Sequence, residues 1–314
     1  MADNIKNNVT PGNTALHVMK EKNMSDVNKT AKVMKVLGYV ATYAFLIFMA
    51  VIVLFPFYWM LISSVKDIFE YNRNVPTLFP EVIHLDNYAK ALEAANLEKV
   101  FGNTVFVGLV STLLSLVITV LTAFAFARLE FKGKNALFAA LLGTMMIPGE
   151  LFTITNYQTT FNLGWGNTDK YGFTILIVPF LVSIFYVYLL RQNFLQIPNE
   201  LYLAAKVDGV SDIKYLWKVM IPLSFPTLIS ITILKMMGAW NTYVWPNLVI
   251  KDKDYLLVTN GIRGGDYSVD GAVDMINYPV QMAAVTLVSI PLFMVFLFLR
   301  TYIMKGVSRS GIKG

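Results

Sequence analysis

Six long apolar stretches constrain the fold of this chain more than any other feature of its sequence. A helix needs roughly 20 apolar residues to cross a bilayer core of about 30 Å. Leu37–Val65 and Phe101–Ala127 meet that length without a single charged residue. The other stretches are residues 136–155, 171–190, 220–249 and 278–304. We therefore predict an all-α integral membrane protein, with about six transmembrane helices in one transmembrane domain over residues 36–304.

The composition removes several classes of functional site. Only 15% of the residues are charged, whereas a soluble domain carries about a quarter. The chain has no cysteine, which excludes disulfides, thiolate metal sites and a catalytic thiol. His17 and His84 stand far apart without supporting ligands, so we expect no metal site. The sequence lacks the G-x-x-x-x-G-K-[ST] phosphate loop, so we expect this chain to bind neither ATP nor another cofactor.

The distribution of Lys and Arg predicts the orientation in the membrane. An even number of spans places both termini on one side, and cytoplasmic segments carry an excess of Lys and Arg. The two polar tails, residues 1–35 and 305–314, together with the loops at 128–134 and 191–218, hold the denser set of basic residues. We therefore expect both tails to be cytoplasmic and the first to be flexible. Because the charges lie between apolar stretches, the net charge of +6 indicates lipid rather than nucleic acid as the partner.

The loop between the fourth and fifth stretches, residues 197–219, predicts two short helices joined by a sharp turn. Pro198 suits the start of a helix, Asp208-Gly209 its end, and Ser211 the cap of the next helix. The spacing of Leu201, Ala204 and Ala205 places them on one face. Small side chains on that face favour docking into a groove on a cytoplasmic protein. An amphipathic helix lying on the membrane surface fits the spacing equally well.

The same loop resembles the EAA loop of permeases from binding-protein-dependent ABC importers. That loop reads Glu-Ala-Ala, three residues, Gly, nine residues, then Ile, any residue, Leu, Pro. One position departs from the pattern, because Leu203 replaces the Glu, and Glu200 lies one turn earlier. The positions that match the spacing are Ala204, Ala205, Gly209, Val219, Ile221 and Pro222.

Other segments resemble the carbohydrate branch of these permeases, specifically the second-subunit type of the maltose permease. They are Gly238–Pro246, Thr144–Gly149 and the C-terminal Ser310–Gly314. The resemblance covers about Val36 to Gly314 and implies the type I ABC importer permease fold. It also implies that the chain forms half of the translocation path for a sugar or oligosaccharide, with glycerol-phosphate or another small polar solute as the alternative.

The resemblance further implies an assembly in a bacterial inner or cytoplasmic membrane. A second homologous permease subunit completes a heterodimer, and an extracytoplasmic solute-binding protein delivers the solute. Two ATP-binding cassette ATPase subunits hold ATP and Mg²⁺, and each grips one EAA loop as a coupling helix. The residues that the resemblance assigns to this docking are Glu200, Leu201, Leu203, Ala204, Ala205, Asp208 and Gly209.

Polar residues inside the apolar stretches are candidates for the translocation path. Lys235 lies well inside the fifth stretch, where a charge costs at least ~2.5 kcal/mol on insertion scales. It either packs against polar groups or the second subunit, or lines the path and favours an anionic or hydroxyl-rich solute. Glu150 follows Pro148-Gly149 and either lines the path, alongside Asn156 and Tyr157, or is a carboxylate at a helix break near the interface. Trp240, Asn241 and Tyr243 suit sugar contact, and suit packing between the fifth and sixth spans equally well.

Two other classes of protein fit the sequence less well. A self-contained secondary transporter often shows two inverted halves with matching helix breaks. Breaks are indicated at Pro148 and at Pro222 and Pro226, but no symmetric repeat accompanies them. A membrane-embedded enzyme needs a convergent set of catalytic residues, and no stretch holds one.

Overall fold

The computed structural model describes residues 11–166, 168–269 and 272–308, and it packs as two units. The first unit ends at Trp59 and the second begins at Met60. Residues 1–10 and 309–314 of the two polar tails lie outside the described residues.

A single helix, α1 (Pro11–Ser64), makes up all of the described first unit and continues beyond it. Every described side chain from Met34 to Phe57 is exposed, although most are apolar, so this part of α1 is suited to lipid or protein contact. The prediction of a flexible tail is wrong for residues 11–35, which are helical. A helix nucleated in the apolar span extends cheaply into adjoining residues, and Pro11 occupies its first position, where proline is tolerated.

Among the described residues, three helices are long and apolar enough to cross a membrane alone, and three bent pairs raise the number of spans to as many as six. The single helices are Met34–Ser64 within α1, α4 (Leu97–Arg128) and Tyr278–Arg300 within α15 (Tyr278–Ser308). The pairs are Lys134–Thr144 with Gly149–Asn162, Asp169–Phe180 with Ile184–Gln196, and Asp212–Leu223 with Phe225–Asn241, bent by 81°, 47° and 80°. Length and composition thus agree with the prediction of about six spans.

Each bent pair has a proline near its break. Pro148 precedes the second helix of the first pair, Pro179 lies just before the break of the second, and Pro222 and Pro226 flank the break at Ser224. Proline has no N–H and its ring clashes with the carbonyl four residues earlier, so it interrupts a helix. The π-helical turn Leu216–Met220 leads directly into the helix that contains Pro222.

These pairs are built from shorter elements. The first contains α5 (Lys134–Thr144), a 3₁₀ turn (Gly149–Leu151) and α6 (Phe152–Asn162). The second contains α7 (Thr168–Ile177), a 3₁₀ turn (Val178–Phe180) and α8 (Ile184–Gln196). The third contains α10 (Asp212–Tyr215), the π-helical turn, α11 (Ile221–Leu223) and α12 (Phe225–Asn241). The fifth span was predicted over 220–249, but its helix ends at Asn241, and α13 (Val244–Val249) is separate.

Helix α4 lies at the centre of the second unit, where it packs against α8 and α12. Its buried positions carry small and hydroxyl-bearing residues, such as Ser111, Thr112 and Ser115. At Gly108, a Cβ atom would lie 3.3 Å from the Met236 sulfur, so the missing side chain allows α12 to approach. Small residues of this kind let helices pack closely where no water drives their association.

The shorter elements gather around the beginnings of α4 and α15. They are α2 (Ile68–Tyr71), α3 (Asp86–Ala94), α13, a 3₁₀ turn (Lys253–Tyr255), α14 (Val258–Arg263) and the antiparallel strands β1 (Ser268–Val269) and β2 (Ala272–Ile276), with Ser268 opposite Ile276. One buried cluster joins α3, α4, α14 and α15 through residues such as Ala91, Val100, Val258 and Ala284. The remaining short helix, α9 (Asn199–Val207), lies beside the far ends of α4 and α8, through Tyr202 and Ala205.

Candidate functional site

Helix α9 ends in a tight turn closed by a pair of backbone hydrogen bonds. Gly209 has φ +71°, a conformation that side chains with a Cβ rarely adopt. The Gly209 N–H donates to the Lys206 carbonyl at 3.1 Å, and the Val210 N–H donates to the Ala205 carbonyl at 2.8 Å. This pattern is the Schellman motif, which fixes how the chain leaves a helix. The predicted turn at Asp208-Gly209 is present.

The turn is braced by side chains on both sides of it. Ser211 caps α10, as predicted, by accepting from the Lys214 N–H at 3.4 Å. The Tyr202 hydroxyl donates to the Asp212 carboxylate at 2.7 Å, and the Lys206 ammonium lies 2.7 Å from the same oxygen. The hydrogen bond to Asp212 raises the pKa of Lys206 above its ordinary value.

The two sides of α9 have different surroundings. Tyr202 and Ala205 pack against the buried cluster that joins α4, α8 and α12. Leu201, Leu203 and Val207 are exposed by 45%, 55% and 88%. The exposed set also includes Glu200, Ala204, Asp208 and Gly209. Of the three residues predicted to share a face, Leu201 and Ala204 point outward, whereas Ala205 is half-buried against the core.

Two arginines fasten the chain segment that leads into α9. Arg128, buried at the end of α4, donates from Nη2 to the carbonyl oxygens of Phe194 at 2.9 Å and Ile197 at 2.6 Å. Arg191 of α8 makes the reciprocal contact with α4, because its Nε donates to the Phe126 carbonyl at 3.1 Å. Helix C-termini leave carbonyl groups without intrahelical donors, and these guanidinium groups supply them. We call Arg128 and Arg191 the arginine clamp.

A cavity of about 360 Å³ borders the first half of α4, at Val107 and Ser111, whereas α9 packs near the end of that helix. Its walls come from α4, the break between α7 and α8, the end of α12, and α13. The hydroxyl-bearing residues Ser111, Ser183, Tyr186 and Thr242 line it, together with the aromatic residues Phe180 and Trp245. Its size is within the range of small-molecule sites.

Lys235 is the single charged side chain among the described residues that line this cavity. Its ammonium donates to the carbonyl oxygen of Phe180, at 2.5 Å, next to the break in the fourth span. Lys235 is half-buried, so part of its surface faces the cavity. Lys235 thus makes a polar contact with Phe180 and also stands in the wall of the cavity.

The other path candidates do not line the cavity. Glu150 is exposed on the 3₁₀ turn, Asn156 is half-buried on α6, and Tyr157 stacks near Phe161 with 4.4 Å between ring centroids. Trp240 is buried among residues of α3, α4 and α15, with its ring 5.5 Å from that of Phe101. Trp240 therefore packs the fifth span against the sixth.

The two residues that follow Trp240 also have local partners. The Asn241 amide donates to the Met237 carbonyl at 3.0 Å, and the Arg263 guanidinium lies 4.4 Å from the centre of the Tyr243 ring. Sequence reasoning did not identify Pro179, the arginine clamp or the cavity hydroxyls. An arginine directly after a long uncharged run is the one sequence signal for Arg128, and by itself it indicates only the orientation of the span.

The chain matches one protein family over residues 94–309, more than half of its length. That family is described as "Binding-protein-dependent transport system inner membrane component". The chain belongs to this family, and it is therefore a membrane-embedded transport component of an ABC importer rather than an enzyme.

Relatives and a solved structure agree with this family. The chain is 30% identical to the arabinooligosaccharides transport system permease protein AraQ of Halalkalibacterium halodurans, over 90% of this chain and 99% of the relative. It is 29% identical to the diacetylchitobiose uptake system permease protein NgcG of Streptomyces coelicolor, over 86% and 87%. A chain in the crystal structure of a bacterial ABC transporter involved in the import of the acidic polysaccharide alginate has a TM-score of 0.74 and 23% identity, covering 85% of this chain and 96% of that chain. This likeness shows the shared fold.

Proposed function

We propose that this chain is one permease subunit of a sugar or oligosaccharide importer and that α9 is its coupling helix. The relatives named for arabinooligosaccharides and diacetylchitobiose support a carbohydrate solute. In the proposed assembly, a second homologous permease subunit completes a heterodimer, two ATPase subunits hold ATP and Mg²⁺, and an extracytoplasmic binding protein supplies the solute. Both termini and α9 face the cytoplasm of a bacterial cell.

One observation carries the assignment of α9. Its outer surface bears the exposed apolar residues Leu201, Leu203 and Val207, while its inner surface, its turn and its leading segment are all fixed to the helical bundle. A rigid apolar surface at the tip of a bundle is suited to transmit the movement of a docked subunit to the spans. The alternative, a helix lying on the membrane surface, needs no such fixation.

The absence of native cysteine makes a direct test available. We expect an Ala204→Cys variant to cross-link to the ATPase subunit in membranes, and to react with a membrane-impermeant maleimide only after the cells are opened. A Glu81→Cys variant, between α2 and α3, should react in intact cells and form no such cross-link. Labelling of Ala204→Cys in intact cells, or no cross-link to the ATPase, contradicts the proposal.

A further inference from the structure

A cationic side chain without a described counter-ion stands in the wall of the cavity. The described residues that line the cavity include no Asp or Glu, and the described partner of the Lys235 ammonium is the neutral Phe180 carbonyl. A charge removed from bulk water is poorly stabilised by one carbonyl dipole, and buried charges are normally paired. Ionisable residues inside membrane spans typically mark a solute or ion pathway. Lys235 is therefore a positive charge without a described negative partner, and an anionic ligand can supply one.

The groups around Lys235 suit a hydroxylated ring. Ser183 and Thr242 carry hydroxyl groups, which can both donate and accept hydrogen bonds, and the Ser111 hydroxyl, which donates to the Gly108 carbonyl at 3.2 Å, can still accept one. The rings of Phe180 and Trp245 meet edge to face with 5.4 Å between their centroids and supply apolar surface in the same wall. Trp245 is fixed there, because its indole N–H donates to the Ile175 carbonyl at 3.0 Å. A few oriented polar groups among apolar surface are typical of small-molecule sites.

Lys235 has hydrogen-bond donors to spare beside its contact with Phe180. The Phe180 carbonyl lies where the 3₁₀ turn ends and before α8 begins at Ile184. A lysine ammonium has three donors, and the described contact with Phe180 uses one of them. The remaining donors can approach an anionic oxygen while the bond to Phe180 persists.

We propose that the cavity is a binding subsite for an anionic solute, in which Lys235 pairs with a carboxylate or phosphate oxygen and the neighbouring hydroxyl groups contact a sugar ring. The inference rests on the proposed function, since it specifies the class of sugar that the importer carries. The preference for an anion comes from Lys235, and the ring contacts are common to neutral and acidic sugars.

The test compares two probes with the same sugar rings, one with charged carboxylates and one with neutral methyl esters. Binding of digalacturonate and of its dimethyl ester is measured by equilibrium dialysis on the complete importer, purified in lipid nanodiscs without its binding protein. We expect the acid to bind on the order of tenfold more tightly than the ester, because partly buried opposite charges attract strongly. Lys235→Met should remove this ratio, whereas Lys235→Arg should keep most of it. Glycerol-phosphate compared with glycerol shows whether a phosphate serves as well as a carboxylate.

The outcomes separate this inference from the proposed function. Equal binding of acid and ester by the unaltered importer, no binding of the acid, or a ratio that survives Lys235→Met would each overturn the inference. Co-purification of the ATPase with this chain and the rate of ATP hydrolysis are measured on the same preparations. If they are intact while the acid shows no preference, only the inference fails. If the ATPase does not associate with this chain, the proposed function fails, whatever the binding ratio.

Discussion

The Arg128 guanidinium donates a hydrogen bond of 2.6 Å to the carbonyl oxygen of Ile197, which joins the end of α4 to the residue two positions before α9. The same Nη2 atom reaches the Phe194 carbonyl at 2.9 Å. A movement of α9, the proposed coupling helix, would therefore act on α4 through a short polar contact as well as through apolar packing. Because α4 also forms a wall of the cavity, this contact connects the proposed docking site with the proposed path.

We predict that Arg128→Met weakens coupling between ATP hydrolysis and uptake. The change removes the Arg128 donor from both carbonyl groups, of which only that of Phe194 keeps another described donor, the Ile197 N–H at 3.3 Å. We expect a cost of about 2 kcal/mol of unfolding free energy. Uptake per ATP hydrolysed should fall more than total ATP hydrolysis, and both can be measured in proteoliposomes. Arg128→Lys keeps one charged donor and should give an intermediate value. Unchanged uptake per ATP in Arg128→Met contradicts a role for this contact.

Tryptophan substitutions at adjacent alanines should distinguish the two surfaces of α9. Ala204 is exposed, so Ala204→Trp should obstruct the docked ATPase while leaving the thermal unfolding of the isolated chain unchanged. Ala205 packs against the buried cluster, so Ala205→Trp should overpack it and lower the unfolding free energy by about 2 kcal/mol. Thermal unfolding and ATPase co-purification measure these effects. Loss of stability in Ala204→Trp, or normal ATPase association in that variant, opposes the assignment of the outer surface.

The turn after α9 should tolerate alanine far better than proline. Gly209→Ala introduces a Cβ at φ +71° with no heavy atom within 4 Å, so it should cost about 1 kcal/mol and leave uptake measurable. Gly209→Pro cannot adopt this φ and loses the N–H that donates to Lys206, so it should uncouple hydrolysis from uptake. The measurement is again uptake per ATP hydrolysed. Equal effects of the two substitutions would show that the turn geometry does not matter.

Local signals in the sequence predicted what depends on neighbouring residues. Pro198 and Gly209 act through backbone geometry and Ser211 through its side-chain hydroxyl, each within one turn. The start of α9, the turn after it and the cap of α10 lie at these residues, as predicted. The sequence did not predict which side of α9 is buried, because Leu201, Ala204 and Ala205 are each compatible with burial or exposure. Only the presence of Tyr202 and Ala205 against α4 and α8 decides which side faces inward.

Contacts between distant segments could not be derived from periodicity. Arg128 and Phe194 are 66 positions apart, and the Lys235 and Phe180 pair is separated by 55. Hydropathy identified the spans but ran through the break that Pro179 precedes, since apolar residues continue on both sides of it. Trp240 and Trp245 are close in sequence, yet one is packed beside α15 and the other lines the cavity. Which of these two tryptophans lines the cavity depends on the chain geometry between the end of α12 and the start of α13.

Gly172 lies where the Tyr255 ring packs against α7, beside the cavity. A Cβ atom at this position would lie 2.4 Å from Cγ of the Tyr255 ring. That ring is held in place, since its hydroxyl donates to the Asp169 carbonyl at 2.9 Å. Gly172→Ala should therefore shift α7 or the ring and lower the unfolding free energy by about 2 kcal/mol. Gly143→Ala in α5, where nothing lies within 4 Å, is the matched control and should not destabilise the protein. Equal thermal unfolding of the two variants would mean that Tyr255 does not fix α7.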